Sequence, residues 1–556
     1  MKGLHTYLTF LYGEDATPRL LEQTNQLIEK YRATIKKQNG ELNEHDSILI
    51  TYGDQVQKEN QKPLHILKIF AEKYLTDVVE GIHFLPFYPW TSDDGFSVID
   101  YRQIDEKLGT WEDVSAFQPK FKLMFDAVIN HISAQSEWFQ KFLGNDSQYQ
   151  NYFVTVEGEP DLSLVVRPRA LPLLTLFNEK KIWTTFSADQ IDLNYKNPQV
   201  LLEILDILLL YVQYGASFIR LDAIAYMWKE IGTSSIHLPQ THAIIQFLRE
   251  ALNQIAPHVH LITETNVPHV DNISYFGNGY NEAQLVYNFA LPPLTLHTFH
   301  TGDATVLSNW AKTLTLPSDK TTFFNFLASH DGVGLNPARG ILSNADIDSL
   351  VEKTLAHGGL ISYKHNADGS QSPYEMNINY FDALSNPNAK EPIDLQVSRF
   401  ICAQAIMLSI IGVPGIYFHS LFGSRNWKQC VEQTGHNRTI NRQKCSFDEL
   451  TKELNDENSL RSKVFKKYSN LLKARRSSPA FHPHGTQKIL ELHKSVLAVE
   501  RISTDKKYRV VCLHNVSSQK ISFSTQFESG FDLFAKEMIH ITNITLEPYQ
   551  VLWISL

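Results

Sequence analysis

Short apolar runs alternate with longer amphipathic stretches along most of the chain, which predicts β-strands separated by α-helices. Helical spacing of apolar residues occupies 63–76, 198–213 and 397–411. Eight apolar runs have the length and composition of buried strands, at 47–52, 81–86, 123–130, 216–222, 260–264, 285–289, 323–328 and 415–419. Eight strands that alternate with helices predict a parallel (β/α)8 TIM barrel of the α/β class. An open doubly wound sheet is the alternative, and it is disfavoured because no glycine-rich phosphate-binding turn follows a strand.

The barrel pattern is interrupted twice and is flanked on both sides. Helically spaced leucines near the N-terminus predict a helical extension, and loop-rich or polar segments follow the third and seventh strands. From about residue 485 the chain consists of short alternating runs, which predict a small antiparallel β domain with strands at 496–501, 508–514, 521–527, 539–544 and 551–556. The predicted divisions are a helical extension at 1–45, a barrel at 46–131 and 196–475, insertions at 132–195 and 340–390, and a C-terminal β domain at 480–556.

Composition narrows the classes of function. The 556 residues are 43% hydrophobic and carry a formal net charge of −9. Negative charge, with no basic run longer than a pair, argues against nucleic-acid binding. Four cysteines without C-x-x-C spacing predict free thiols in a reducing compartment. The sequence contains no run of about 18 apolar residues, so no membrane span is predicted. It also shows no secretory signal pattern at its start, and a cytoplasmic location is expected.

Carboxylates follow three of the predicted strands. Asp222, Glu264 and Asp331 come at the ends of the fourth, fifth and seventh strands. Active sites of (β/α)8 barrels lie at the carboxyl ends of the strands, so these three side chains are expected to converge. Arg220 stands two residues before Asp222 and shares its strand face, which could be a structural ion pair. One carboxylate at a strand end is usually a helix cap, but three with Arg and His beside them are hard to explain as caps.

Paired carboxylates are the usual machinery for breaking a glycosidic bond. A separation of about 5–5.5 Å gives retention of anomeric configuration, and about 6.5–9.5 Å gives inversion. The sequence alone leaves that distance, and therefore the outcome, open.

Four segments carry a specific resemblance. Asp126-Ala-Val-Ile-Asn-His, Ile219-Arg-Leu-Asp-Ala, Ile262-Thr-Glu and Ala328-Ser-His-Asp resemble, in order, the four sequence regions of the α-amylase family of retaining α-glucosidic enzymes. The resemblance implies that Asp222 is the nucleophile, Glu264 the acid/base and Asp331 the transition-state stabiliser. It further implies that Arg220 orients Asp222 and that His131 and His330 bind glucose hydroxyls. The alternative for His131 is a core histidine satisfied by backbone.

Further segments resemble the sucrose phosphorylase branch of that family. They are 85–100, 167–172, 185–193, 232–235, 289–293 and 440–442. By this resemblance the glucose subsite is lined by Asp93, Phe96, Phe186, Gln190, Tyr226 and Arg442, and loop residue Arg169 meets the phosphate or the leaving acceptor. The bland alternatives are a core role for Phe186 and a solvated surface role for Arg169. Many relatives bind calcium through the equivalent of Asn130, but this branch does without it, so Asn130 is expected to be structural and neither metal nor cofactor is expected.

The acceptor side departs from sucrose phosphorylases. Asn266 stands where those enzymes tend to carry His, Ser372 and Glu375 replace Asp and Gln, and Val166 replaces Tyr. Segments 263–269, 328–337 and 372–377, with the N-terminal extension, resemble glucosylglycerate phosphorylases of the same branch. The resemblance implies reversible phosphorolysis of 2-O-α-glucosylglycerate, with the glycerate carboxylate bound by Arg169 or Arg339.

Several alternatives remain open from the sequence. A phosphorylase acting on sucrose, glucosylglycerol or sucrose 6-phosphate has the same glucose chemistry, as does a hydrolase or transglucosidase of this family. A non-catalytic binding protein on this fold predicts loss of one of the three carboxylates, and all three are present. The expected partners are a sugar substrate and phosphate, and the chain is expected to be a monomer or a homodimer.

Overall fold

A closed barrel of eight parallel strands forms the centre of the protein, in a computed structural model that describes residues 3–36, 38–169, 171–365 and 370–556. The barrel strands are β1 (Ile48–Thr51), β2 (Gly81–Phe84), β3 (Lys122–Ala127), β4 (Ala216–Leu221), β5 (His260–Thr263), β6 (Leu285–Tyr287), β7 (Thr322–Asn325) and β8 (Val413–Tyr417). Each strand pairs with its neighbours in sequence, and β1 closes the barrel on β8 with Ile48 opposite Gly415. The predicted (β/α)8 fold is therefore confirmed.

Each barrel strand ends before the residue at which the sequence pattern placed its end. The residues beyond the ends keep one tie to the neighbouring strand, since Asp222 N–H donates to the Ala127 carbonyl and Glu264 N–H donates to the Leu221 carbonyl, both at 3.1 Å. Their side chains then leave the regular alternation and turn to the barrel rim. Apolar periodicity extends through these residues and so cannot mark where the ladder stops.

Helices surround the barrel and bury its outer face. Those that follow barrel strands or extend the layer are Pro63–Tyr74, Trp111–Ser115, Pro198–Gln213, Pro239–Ile255, His269–Asn272, Leu291–Thr301, Thr305–Lys312, Ile393–Ser409, Phe418–Leu421, Lys428–Thr434, Phe447–Asn455 and Leu460–Arg476. Helix Pro198–Gln213 has bounds identical to the prediction, because Asn197 caps its N-terminus and proline occupies the first turn. Among the described residues, none of the helices is both long and apolar enough to cross a membrane.

Two helices at the N-terminus, Leu4–Tyr12 and Thr17–Arg32, pack against the outer helices Pro198–Gln213 and Pro239–Ile255. Lys30 and Tyr31 both donate to the carboxylate of Asp206 on the first of those helices, at 2.7 and 3.0 Å. The extension is thus attached to the barrel wall between β3 and β5, away from the strand ends that carry the carboxylates.

The two insertions have more regular structure than their polar sequences indicate. Residues 132–195 contain helix Glu137–Leu143 and strands Thr155–Val156, Leu174–Phe177, Lys180–Trp183 and Gln190–Asp192. Residues 340–390 contain helices Asn344–Ala356 and Tyr380–Leu384 and an antiparallel hairpin of Leu360–His365 with Gln371–Asn377. The second hairpin strand also pairs with Val333–Gly334, which follows β7, and this pairing brings the insertion to the barrel rim.

The C-terminal region is antiparallel as predicted, with strands β9 (Thr486–His493), β10 (Val496–Ile502), β11 (Arg509–Asn515), β12 (Ile521–Ser524), β13 (Ser529–Asp532), β14 (Glu537–His540), β15 (Asn543–Leu546) and β16 (Val551–Ser555). The single strand predicted at 539–544 is wrong. Strand β14 pairs with β13 and strand β15 pairs with β12, so the chain crosses between two sheets at residues 541 and 542. Strands β9 and β13 were missing from the prediction: seven of the eight positions of β9 are exposed or partly buried, and β13 is only four residues long.

Candidate active site

A cleft opens at the carboxyl ends of the barrel strands. Its lining contains thirteen of the sixteen predicted site residues: Asp93, Phe96, His131, Arg169, Phe186, Gln190, Asp222, Tyr226, Glu264, Asn266, His330, Asp331 and Glu375. The other three, Arg220, Arg339 and Arg442, lie outside the lining. The structure therefore brings together residues that are up to 282 positions apart, as Asp93 and Glu375 are.

Arg220 lies beneath the cleft and connects its carboxylates. Its Nη1 donates to Asp222 Oδ1 at 2.7 Å and also contacts Asp126, while its Nη2 lies 3.9 Å from Glu264 Oε2. Asp126 in turn bonds to His83 at 2.7 Å. Register places Arg220 opposite Asp126 on β3 and opposite Ile262 on β5, so the cation is fixed between two neighbouring strands.

Glu264 is held by a second contact. The backbone N–H of Ala223 donates to Glu264 Oε2 at 3.0 Å. Ala223 has a φ of 48°, a left-handed conformation that non-glycine residues adopt at a cost. The turn after Asp222 thus directs a backbone donor at the carboxylate of the next strand.

Burial is the main influence on the acidities of these groups. It raises the pKa of Glu264, against the opposing charge of Arg220. Burial likewise raises the pKa of Asp222 well above its usual range, with Arg220 opposing and Glu264 reinforcing the shift. Asp331 differs, because the charges of Arg438 and Arg442 outweigh burial and hold its pKa well below the usual range. The cleft thus keeps one carboxylate firmly ionised beside a pair that competes for a proton.

The glucose end of the predicted site is built around two stacked rings. Phe96 and His330 lie parallel, with ring centroids 4.5 Å apart and an interplanar angle of 4°. Burial lowers the pKa of His330 to about 3, so its ring is neutral near pH 7. Arg442, although outside the lining, donates from Nε to the His330 carbonyl at 2.8 Å and lies 3.7 Å from Asp93. Arg442 therefore lies behind the cleft wall and holds in place His330 and Asp93, which line the cleft.

His131 combines the two roles that the sequence left open. It lines the cleft, yet its Nε2 lies 2.9 Å from the Phe96 carbonyl and 3.2 Å from the amide nitrogen of Gln190. Burial lowers the pKa of His131 to about 4. Phe186 also faces the cleft, and the guanidinium of Arg169 lies 5.6 Å from its ring centre.

Seven lining residues are absent from the predicted set, and Arg438 and Tyr374 are two of them. Arg438 donates from Nε and Nη2 to the two oxygens of Glu375 at 3.0 and 2.7 Å, and its Nη1 lies 2.5 Å from Asp331. The signal for it in the sequence was its spacing, four residues before Arg442, and in the structure it belongs to a short 3₁₀ segment. Arg339 lies elsewhere on this wall and donates to the Pro373 carbonyl at 3.2 Å.

A buried lysine lies at the base of the first insertion. The Lys229 ammonium is 2.7 Å from Asn130 Oδ1 and 2.7 Å from Asp192 Oδ2. Asn130 follows β3, Asp192 ends the insertion and Lys229 follows β4, so this cation connects three segments. Within the described ranges, no cluster of three His, Cys, Asp or Glu side chains is arranged to hold a metal ion.

Comparison with known proteins agrees with the geometry. Residues 72–334 match the family model described as "Alpha amylase, catalytic domain". The glucosylglycerate phosphorylase of Allomeiothermus silvanus is 50% identical over 99% of this chain and 97% of its own. The glucosylglycerate phosphorylase of Escherichia coli K12 is 46% identical over 99% of both chains. The crystal structure of sucrose 6F-phosphate phosphorylase from Thermoanaerobacter thermosaccharolyticum superposes with a TM-score of 0.74 at 25% identity, covering 90% of this chain and 98% of that one. The chain therefore belongs to the α-amylase family and, within it, to the sucrose phosphorylase branch.

Proposed function

We propose that the protein is a retaining α-glucoside phosphorylase that converts 2-O-α-glucosylglycerate and phosphate reversibly to α-D-glucose 1-phosphate and D-glycerate. The observation that carries the proposal is the match to glucosylglycerate phosphorylases at 46–50% identity over nearly the whole chain, with all three carboxylates present in one cleft. The reaction so written needs no cofactor, since phosphate is a substrate.

The positions of the carboxylates relative to Arg220 support a division of roles. Burial raises the pKa of both Asp222 and Glu264, so the pair holds a proton more readily than two exposed carboxylates do. The guanidinium is bonded to Asp222 at 2.7 Å but lies 3.9 Å from Glu264. A cation favours the ionised form of the nearer carboxylate, so the proton belongs on Glu264. Asp222 is then the nucleophile and Glu264 the general acid.

The first step breaks the bond between glucose and glycerate. Glu264 gives its proton to the glycosidic oxygen while a carboxylate oxygen of Asp222 attacks the anomeric carbon, which releases glycerate and leaves a β-glucosyl-enzyme. Asp331 is buried and ionised, with the Arg438 guanidinium 2.5 Å from its Oδ1. A glucose hydroxyl donates to this carboxylate, and its negative charge stabilises the positive charge that develops on the sugar ring.

The second step returns the glucosyl group to phosphate. A phosphate oxygen attacks the anomeric carbon and loses its proton to the Glu264 carboxylate, which opens the covalent bond with net retention. Phosphate must compete with water at this stage, and a cation gives it that advantage. Arg169 lines the cleft, contacts the glucose end through Asp93 at 2.9 Å and retains 30% side-chain exposure, which suits a residue that receives an incoming anion.

The proposal is tested by incubating the enzyme with α-glucose 1-phosphate and an acceptor panel of D-glycerate, glycerol, fructose and fructose 6-phosphate while phosphate release is followed. Release that depends on glycerate supports the proposal, and release with fructose alone refutes it. Asp222→Asn is expected to abolish release with every acceptor. Glucose formation from glucosylglycerate without any dependence on phosphate would instead identify a hydrolase.

A further inference from the structure

The cleft is poor in positive charge for an enzyme whose proposed acceptor and second substrate are both anions. Among the described residues, the arginines that line it are Arg169 and Arg438, and no lysine lines it. Five carboxylates line the same cleft, those of Asp93, Asp222, Glu264, Asp331 and Glu375. A carboxylate that enters this cleft is repelled unless one of the two arginines receives it.

Arg438 is the more rigid of the two arginines. Glu375 binds it through two parallel hydrogen bonds, the bidentate arrangement that fixes the plane of a guanidinium. Glu375 is only 2% exposed, whereas Arg438 keeps 25% exposure toward the cleft. The two bonds use the Nε proton and one Nη2 proton, and Nη1 contacts Asp331, which leaves the second Nη2 proton and one Nη1 proton as donors for a ligand.

The role predicted for Glu375 changes with this geometry. Both of its oxygens are engaged by Arg438, so neither is free to accept a hydrogen bond of the same quality from a substrate. Its negative charge also opposes the charge of glycerate. Glu375 stands where sucrose phosphorylases use Gln, and a carboxylate there holds an arginine more firmly than an amide does.

Two glycines shape the same wall. A Cβ on Gly332 would lie 2.6 Å from Cγ of Glu375, and a Cβ on Gly334 would lie 2.6 Å from Oδ1 of Asn266. Both glycines therefore allow a polar side chain to approach the strand closely. Asn266 Oδ1 is buried without a hydrogen-bond partner, although its Nδ2 reaches the Tyr374 hydroxyl at 3.4 Å.

We propose that Arg438 binds the carboxylate of the acceptor substrate, that Glu375 is the positioning residue for Arg438, and that Asn266 Oδ1 accepts a hydrogen bond from a hydroxyl group of that substrate. This inference rests on the proposed function, because it presumes a carboxylated acceptor. Arg169 is bonded to Asp93 at the glucose end, and Arg339 lies outside the lining and donates to a backbone carbonyl. Arg438 is the cation that shares a wall with Asn266 and Glu375.

The test compares D-glycerate with glycerol, which has the same carbon skeleton without the carboxylate. Phosphate release from α-glucose 1-phosphate gives kcat/KM for each acceptor in wild type, Arg438→Gln and Glu375→Gln. Loss of a hydrogen-bonded ion pair with the acceptor is expected to lower kcat/KM for glycerate by about ten- to a hundredfold, mainly through KM. The ratio of glycerate to glycerol should fall in both variants, while a purely structural role lowers both acceptors together and leaves the ratio unchanged.

Controls separate the rival assignments. Arg32→Gln removes an exposed arginine of the N-terminal helix, paired only with Glu29 three residues earlier, and should leave the ratio at the wild-type value. Arg339→Gln tests the other candidate cation, and a fall of the ratio there but not in Arg438→Gln overturns the inference. If Arg438→Gln does not fold, Arg438→Lys keeps the charge without the bidentate geometry and should also lower the ratio of glycerate to glycerol. An unchanged ratio in both folded Arg438→Lys and Glu375→Gln overturns the inference.

The two proposals fail in different ways. A wild-type enzyme that ignores glycerate refutes the proposed function and this inference with it. A wild-type enzyme that uses glycerate, combined with an unchanged ratio in folded Arg438→Gln, refutes the inference alone.

Discussion

Replacing Arg220 with methionine removes the cation that keeps Asp222 ionised. The guanidinium bonds to Asp222 at 2.7 Å and is only 2% exposed, so water replaces little of the lost attraction. Unit charges about 4 Å apart attract by about 4 kcal/mol at an effective dielectric constant of about 20. That energy corresponds to about three pKa units, since one unit is about 1.4 kcal/mol.

The expected result is a displaced pH profile. The nucleophile must be ionised, so protonation of Asp222 sets the acidic limb of kcat/KM. Loss of Arg220 raises the pKa of Asp222, and the limb should move to higher pH by about two to three units. The assay is phosphate release from α-glucose 1-phosphate between about pH 4 and about pH 9, roughly the range over which perturbed carboxyl and histidine groups titrate in proteins.

The matched control is Arg249→Met. Arg249 is also buried, but it donates to the Val259 carbonyl at 2.6 Å and to Gln284 at 2.9 Å, outside the cleft. This variant should lose stability and keep the acidic limb of wild type. An unmoved limb in folded Arg220→Met would contradict the assignment of Arg220 as the group that holds Asp222 ionised.

Three further predictions concern the surroundings of the cleft. Lys229→Met leaves the buried Asp192 carboxylate without its cation and should lower the free energy of unfolding, measured in urea, by about 3–5 kcal/mol. Adding Asp192→Asn should recover part of that loss, and equal losses in the single and double variants would speak against a paired charge. Gly334→Ala places a Cβ 2.6 Å from Asn266 Oδ1 and should raise KM for glycerate, with kcat/KM for glycerol measured beside it. An unchanged KM for glycerate would show that Asn266 does not contact the acceptor. Burial lowers the pKa of His131 to about 4 in the folded state, so between about pH 6.5 and about pH 4 the unfolded chain binds a proton that the folded chain does not. The free energy of unfolding should therefore fall by up to about 3 kcal/mol over that range, and His131→Asn should flatten the slope in urea titrations.

The three carboxylates could be placed from the sequence because two simple rules act together. Apolar periodicity locates the strands, and the parallel barrel brings every strand end to one rim. Asp222 and Glu264 follow their strands directly, and Asp331 comes six residues after the end of β7, so little knowledge of loop structure was needed to bring them together.

Arg438 could not be placed in the same way. It belongs to a short 3₁₀ segment between β8 and the last helices, where no periodicity indicates a direction for the side chain. Its role depends on Glu375, which is 63 positions away and reaches the rim through the pairing of its strand with residues 333 and 334. Long-range pairing of this kind is set by tertiary packing rather than by local pattern.

The Lys229 ammonium gives the first insertion an anchor that is part of the polypeptide. It lies 2.7 Å from Asn130 Oδ1 and 2.7 Å from Asp192 Oδ2. A covalently attached cation is present as soon as the chain has folded, and it cannot dissociate when the surrounding solution is depleted of divalent ions. The rim that carries Gln190 and the loop with Arg169 should therefore keep its shape in the presence of a chelator.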